Sequence, residues 1–158
     1  MTELAKIVTR TLNLFRQQAV AQVGALCFRL DGDGMPLVLL ITSRDTKRWV
    51  IPKGNVEPGE KANRAAEREA FEEAGIKGRA ERKPVGSFTY RKDEKGICRV
   101  EVYALSVKAV VKKFPESGER ESVWLSCDEA ALRVAEPNLK NVIRMFGMGY
   151  QKALYDRK

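Results

Sequence analysis

Glu69, Glu72 and Glu73 stand at positions i, i+3 and i+4 of the run REAFEEAGI. In a helix their side chains fall within an arc of roughly 100°. Three like charges on one face repel, so the arrangement costs stability unless cations hold it together. Hard divalent cations such as Mg2+ or Mn2+ take oxygen ligands of this kind. On a helical wheel, Ala62, Ala65 and Ala66 share the side of Glu69 and Glu73. Small residues there imply that this side packs inward and that the glutamates face a cleft rather than open solvent.

Other chemistries are narrowed by what the chain lacks. It contains no histidine, which removes serine–histidine and cysteine–histidine hydrolase mechanisms and imidazole-ligated metal sites. Acid–base work falls to carboxylates, lysine, tyrosine or metal-bound water. Cys27, Cys98 and Cys127 are far apart and fit neither a zinc spacing nor a disulfide framework. Cys27, inside GALCF, reads as core. A formal net charge of +8 beside an acidic cluster points to an anionic ligand drawn in by the surface and a metal held by the cluster. Nucleotides, polyphosphates and nucleic acid all qualify by charge. Against a general RNA-binding role, there is no aromatic-rich recognition sequence and no clustered basic tract.

The elements that must position these residues follow from pattern. Residues 1–18 read as an N-terminal arm or helix, with Leu4, Ile7, Val8, Leu12 and Phe15 at helical spacing. Residues 19–29 read as a strand, DGDGMP as a turn, and LVLLITS as a buried strand that closes a hairpin. RDTKR is a polar loop and WVIPKG a short extended piece, with Pro52 favouring extension at Ile51. NVEPGE is a loop before a helix over residues 61–74, rich in Ala, Glu and Arg. Gly75 suits the left-handed position that ends such a helix. Strands are expected around 84–91 and 98–111, joined by KDEKG. FPESGERES reads as a loop, VWLS as a short strand, and CDEAALRVA as a helix with Asp128 near its start. An amphipathic helix is expected over residues 138–155.

The class is α+β, with mostly antiparallel strands and helices toward the end. At 158 residues the chain reads as one domain over residues 19–158 behind the arm. No apolar run approaches a membrane span, and no apolar signal segment opens the chain, so a cytoplasmic location is expected. No strand-GxGxxG-helix unit and no P-loop occurs. Nothing in the sequence sets an oligomeric state.

Residues 54–76, GNVEPGEKANRAAEREAFEEAGI, resemble the Nudix box, G-x5-E-x7-R-E-U-x-E-E-x-G-U, where U is a bulky apolar residue. Gly54, Glu60, Arg68, Glu69, Glu72, Glu73, Gly75 and Ile76 fill it in register. Ala70 is small for its apolar position. The resemblance implies an α/β/α sandwich with a mixed sheet and a loop–helix–loop box. It also implies metal-dependent hydrolysis of a diphosphate linked to another group. Carried over by position, Glu69 and Glu73 are metal ligands, Gly54 lends a backbone carbonyl, and Glu72 is a further ligand or the group that activates water. Glu60 and Arg68 form an ion pair that ties loop to helix, and Gly75 completes the structural part of the box.

A longer similarity, from about Ala19 to Phe146, is to the diphosphoinositol polyphosphate phosphohydrolase subgroup, whose members also cleave diadenosine polyphosphates. Many of them have glycine where this chain has Lys53; plant and bacterial relatives carry the same PKG. Such polyphosphorylated small molecules are dense anions that need several cations around the metal. Candidates are Arg44, Lys47, Arg48, Lys53, Arg91 and Lys92. Trp49, Phe88 and Tyr90 are alternatively core or base-stacking residues, with Trp49 reading first as core. A nucleoside-diphosphate-linked substrate, an RNA 5′ end, or a binding module without turnover remain as other expectations.

Overall fold

A computed structural model describes residues 2–18 and 20–158; Met1, Ala19 and the side chains of residues 13–20 and 95 lie outside it. The expected contributions of Phe15 and of a strand start at Ala19 therefore fall outside the described residues.

Helix α1 (Glu3–Gln18) precedes strand β1 (Val20–Leu30). The described large apolar residues of α1, Leu4, Ile7, Val8 and Leu12, are exposed. Strand β1 turns back through β2 (Pro36–Thr42) in antiparallel register, Phe28 opposite Val38. Asp31 makes this turn: its Oδ1 accepts from the backbone N–H groups of Asp33 at 2.8 Å and Met35 at 3.0 Å. Two short strands follow, β3 (Trp49–Val50) and β4 (Lys53–Asn55).

Helix α2 (Ala62–Ala74) ends at Gly75, which has φ 68° and donates its N–H to the carbonyls of Ala70 and Phe71. After it come β5 (Ile76–Ala80), β6 (Gly86–Arg91), a turn of 3-10 helix at Asp93–Lys95 and the long β7 (Ile97–Val110). Strand β8 (Ser122–Ser126), helix α3 (Cys127–Arg133) and helix α4 (Pro137–Asp156) complete the chain. Ser126 caps α3, its side chain accepting from the N–H of Glu129. Pro137 opens α4, where its missing N–H costs nothing.

The sheet is mixed. Strands β1 and β7 run parallel through the middle, from Val20 opposite Cys98 to Phe28 opposite Ser106. The other pairings are antiparallel: β3 and β8 on β2, β4 on β1, and β5 and β6 on β7. Strand β5 was not expected from the sequence.

Side chains alternate between two cores. On one face Val23, Ala25 and Cys27 of β1, Leu39 and Ile41 of β2, and Tyr103 and Leu105 of β7 pack with Ala65, Ala66 and Ala70 of α2. On the other, Leu26, Phe28, Val38, Leu40, Val100 and Val102 pack with Ala130, Ala131, Leu139, Val142 and Ile143 of α3 and α4. Helices thus cover both faces of one sheet. Ala70 is fully buried, so its small size fits the close approach of α2 to the sheet. All three cysteines are buried and free. Among the described residues no helix is long and apolar enough to cross a membrane.

Candidate active site

The alanines of α2 lie flat on the sheet, and the same helical side carries Glu69 and Glu73, each only 8% exposed. Helix α2 and strand β4 wall one side of a cleft of about 550 Å³. Gly54 of β4 lies against the carboxylate of Glu69: a Cβ there would overlap Glu69 Oε1 and stand 2.6 Å from its Oε2. Only glycine lets backbone and carboxylate come this close.

Burial changes what these carboxyls do. It pushes Glu73 up to about 7, against the pull of Arg120, the Lys53 N–H and the Lys53 charge. Burial also raises Glu69, opposed by Arg68. Glu73 Oε2 accepts from the Lys53 backbone N–H at 3.1 Å. Glu72, one turn from Glu69, is not among the residues that line the cleft; its side chain is 36% exposed and its Oε2 lies 3.2 Å from Arg68 Nη1.

Arg68 organises the loop in front of the helix. Its Nε and Nη2 donate to the two oxygens of Glu60, both at 2.9 Å, and Nη2 also donates to the carbonyl of Asn55 at 2.9 Å. This fork ties the 55–60 loop to α2. The hydrogen bond to Arg68 holds the Glu60 carboxyl below its ordinary range. Arg68 Nη1 reaches Glu69 Oε1 at 2.9 Å.

A second arginine does the same at the far end. Arg120 Nη2 lies 3.3 Å from Glu73 Oε1 and 3.1 Å from Glu116 Oε1. Glu116 also pairs with Arg44 at 3.4 Å. Sequence reasoning missed Glu116 and Arg120, which lie in the segment read as the FPESGERES loop. The only signal there was the density of charge around Gly118.

Among the described residues no three acidic or cysteine side chains already converge as a metal-ligand set; the carboxylates are turned to Arg68 and Arg120 instead. The donor chemistry nevertheless fits a hard divalent cation. Carboxylates of Glu69, Glu73 and Glu116 and the carbonyl-bearing Gly54 share one cleft wall and are all oxygen donors.

Arg44, Arg48, Lys53, Arg91 and Lys92 line the cleft. Lys47 is not brought into it. It is exposed and sits at φ 54° in a turn closed by its N–H to the Ser43 carbonyl. Tyr90 lines the cleft and donates to Gln22 Oε1 at 2.7 Å. Lys53 Nζ stands 4.6 Å over the Tyr90 ring, and burial lowers its amine below the usual lysine range. Phe88 is core, and Trp49 packs half-buried against the same core.

The sequence matches the description "NUDIX domain" over residues 20–146. It is 35% identical over 111 residues to diphosphoinositol polyphosphate phosphohydrolase 3-beta of Bos taurus, an alignment covering 69% of this chain and 65% of that protein. It is 36% identical over 102 residues to "Nudix hydrolase 13, mitochondrial" of Arabidopsis thaliana, covering 59% of this chain and 50% of that one. The chain thus spans about half to two thirds of the length of these curated relatives. In fold it is similar to a C. elegans Ap4A hydrolase in a binary complex, with TM-score 0.70 at 22% identity, covering 85% of this chain and 99% of that one. A family match over most of the chain, on the sandwich that buries Glu69 and Glu73 beside Gly54, makes this protein a member of the Nudix family.

Proposed function

We propose that the cleft hydrolyses a phosphoanhydride bond in a polyphosphorylated small molecule, a diphosphoinositol polyphosphate or a diadenosine polyphosphate, with Mg2+ or Mn2+ as cofactor. The observation that carries this reading is the burial of Glu69 and Glu73 against Gly54, on the wall of a cleft also lined by Arg44, Arg48, Lys53 and Arg91. The relatives' names give the substrate classes.

In this reading Glu69 and Glu73 hold the cation with the carbonyl of Gly54, and Glu116 adds a further oxygen. Bound there, a divalent ion supplies charge neutralisation at phosphate oxygens and acidifies water. Glu72, less buried than Glu69 and Glu73, orients or deprotonates the attacking water. Lys53 and Arg48 meet the phosphate oxygens; Arg44 and Arg91 extend the cationic wall. Arg68 and Glu60 keep the loop and helix in register so that Gly54 stays against Glu69. Phosphoryl transfer asks little more of a protein than position and charge.

The test is a substrate panel with Mg2+ or Mn2+ and with chelator, products identified by mass. Metal-dependent release of phosphate or nucleotide is expected. Glu72→Gln should lose about 10²- to 10⁴-fold in kcat with an unchanged circular dichroism spectrum. Wild-type rates from that variant, or no turnover across the panel, would sink the reading.

A further inference from the structure

Three carboxylates of the cleft, Asp45, Asp93 and Glu136, stand apart from the arginine network, and of these only Glu136 is sheltered from solvent. Glu57, Glu69, Glu73 and Glu116 each lie within 4 Å of Arg68 or Arg120. Glu136 lines the same cleft, yet its Oε2 is buried with no hydrogen-bond partner among the described residues. It occupies the N-cap position of α4 without capping it through its side chain. Closed off from solvent, that oxygen gains a donor from the cleft only when the side chain turns toward it.

The fold says which end of the cleft Glu136 occupies. A Cβ on Gly86 would touch Val142, and Val85 shares a groove with Met145, Phe146 and Gly149. Helix α4 therefore runs antiparallel to β6, and its first residues lie toward Tyr90, Arg91 and Lys92. Lys53 joins the two ends. Its backbone N–H bonds Glu73, while its amine stands over Tyr90. Along the cleft the order is the glutamate cluster, Lys53, Tyr90 and Glu136.

A substrate whose scissile phosphates sit at the glutamate cluster would pass its remaining phosphates by Lys53 and present its organic group to Glu136. A carboxylate repels phosphate and accepts hydrogen bonds. A ribose offers hydroxyl donors, and a purine offers an amino donor. An inositol ring with every oxygen phosphorylated offers none. We infer that Glu136 is a specificity residue that accepts a hydrogen bond from the hydroxyl or amino donors of a nucleoside, selecting nucleoside polyphosphates over fully phosphorylated inositol pyrophosphates. This inference rests on the phosphoanhydride-hydrolase reading of the cleft. A site built to hydrogen-bond a donor discriminates strongly against a ligand that lacks it.

The test compares the full chain with Glu136→Ala and Glu136→Gln on diadenosine tetraphosphate and on a diphosphoinositol polyphosphate with no free ring hydroxyl. The wild type should prefer the dinucleotide. Glu136→Ala should lower kcat/KM for it by roughly tenfold, mainly through KM, with no loss on the inositol substrate. Glu136→Gln, which keeps an acceptor oxygen, should fall between. Equal losses on both substrates, or a wild-type preference for the inositol compound, would overturn the inference. If neither substrate is turned over, the hydrolase reading fails, and calorimetry with ADP and inositol hexakisphosphate still decides Glu136. ADP affinity lost in Glu136→Ala with hexakisphosphate affinity kept supports it; parallel changes overturn it.

Discussion

Arg120 Nη2 lies 3.3 Å from Glu73 Oε1, and the same guanidinium donates through Nη1 to the carbonyl of Thr42 at 3.0 Å. One side chain thus joins the end of β2, the segment before β8 and the buried carboxylate of α2. Both partners are close to 90% buried, so the pair is held out of water's screening. Removing one partner of such a pair leaves the other charge uncompensated. Arg120→Met should destabilise the metal-free fold by about 3–5 kcal/mol and raise the Glu73 carboxyl further. Denaturant unfolding at pH 8 measures the first effect. Loss under about 0.5 kcal/mol, the range of an ordinary surface change, would show that the pair contributes little.

Gly54 makes a narrower prediction. A methyl group there meets the Glu69 carboxylate, whereas one on Gly32 meets nothing within 4 Å. Gly54→Ala should displace Glu69 and reduce turnover by about 10²-fold, the scale of a misplacement near 1 Å, with about 1–3 kcal/mol of stability lost to overpacking. Gly32→Ala should leave turnover unchanged. Steady-state kinetics on both variants, beside their thermal melts, checks this.

The raised Glu73 carboxyl sets a pH dependence. Burial lifts it from an ordinary value of 4.5 to about 7, so the folded chain binds this proton more tightly than the unfolded chain. The stabilisation is fully present below pH 4.5 and is lost as pH rises through about 7. Its full size is about 3 kcal/mol. Glu69 is raised too and acts with the same sign. Glu60 is lowered by Arg68 and acts oppositely: its stabilisation is present above pH 4.5 and is lost as pH falls through its depressed value. Unfolding of metal-free protein between pH 5 and 8 should therefore show stability falling with pH, and Glu73→Gln should flatten that slope. An unchanged slope in the variant contradicts the assignment.

Local signals carried much of this structure into the sequence. The apolar runs of β1 and β2, the alternation of β7, the alanine face of α2 and the glycine that ends it are all short-range patterns, and each element formed where its pattern stands. Strand β5 was illegible because two of its three inward residues, Gly78 and Ala80 beside Ile76, are small, with Lys77 and Arg79 between the three; small inward side chains give a weak hydrophobic alternation. The parallel pairing of β1 with β7 joins segments separated by most of the domain, and no local pattern encodes it. The same distance hid part of the site. Glu116, Arg120 and Glu136 belong to no spaced motif and reach the cleft only because the sheet folds their segments toward α2. Lys47 failed for the opposite reason: sequence proximity to Arg44 and Arg48 says nothing about a tight turn that leaves it outside.

The claim that Glu69 and Glu73 form a divalent-cation cradle can be tested by Mn2+ titration calorimetry on the metal-free protein at pH 8. The wild type should bind Mn2+, and Glu69→Gln and Glu73→Gln should each weaken binding by at least about tenfold, on the order of the cost of losing one strong ligand contact. Wild-type Mn2+ affinity in both variants would contradict the account.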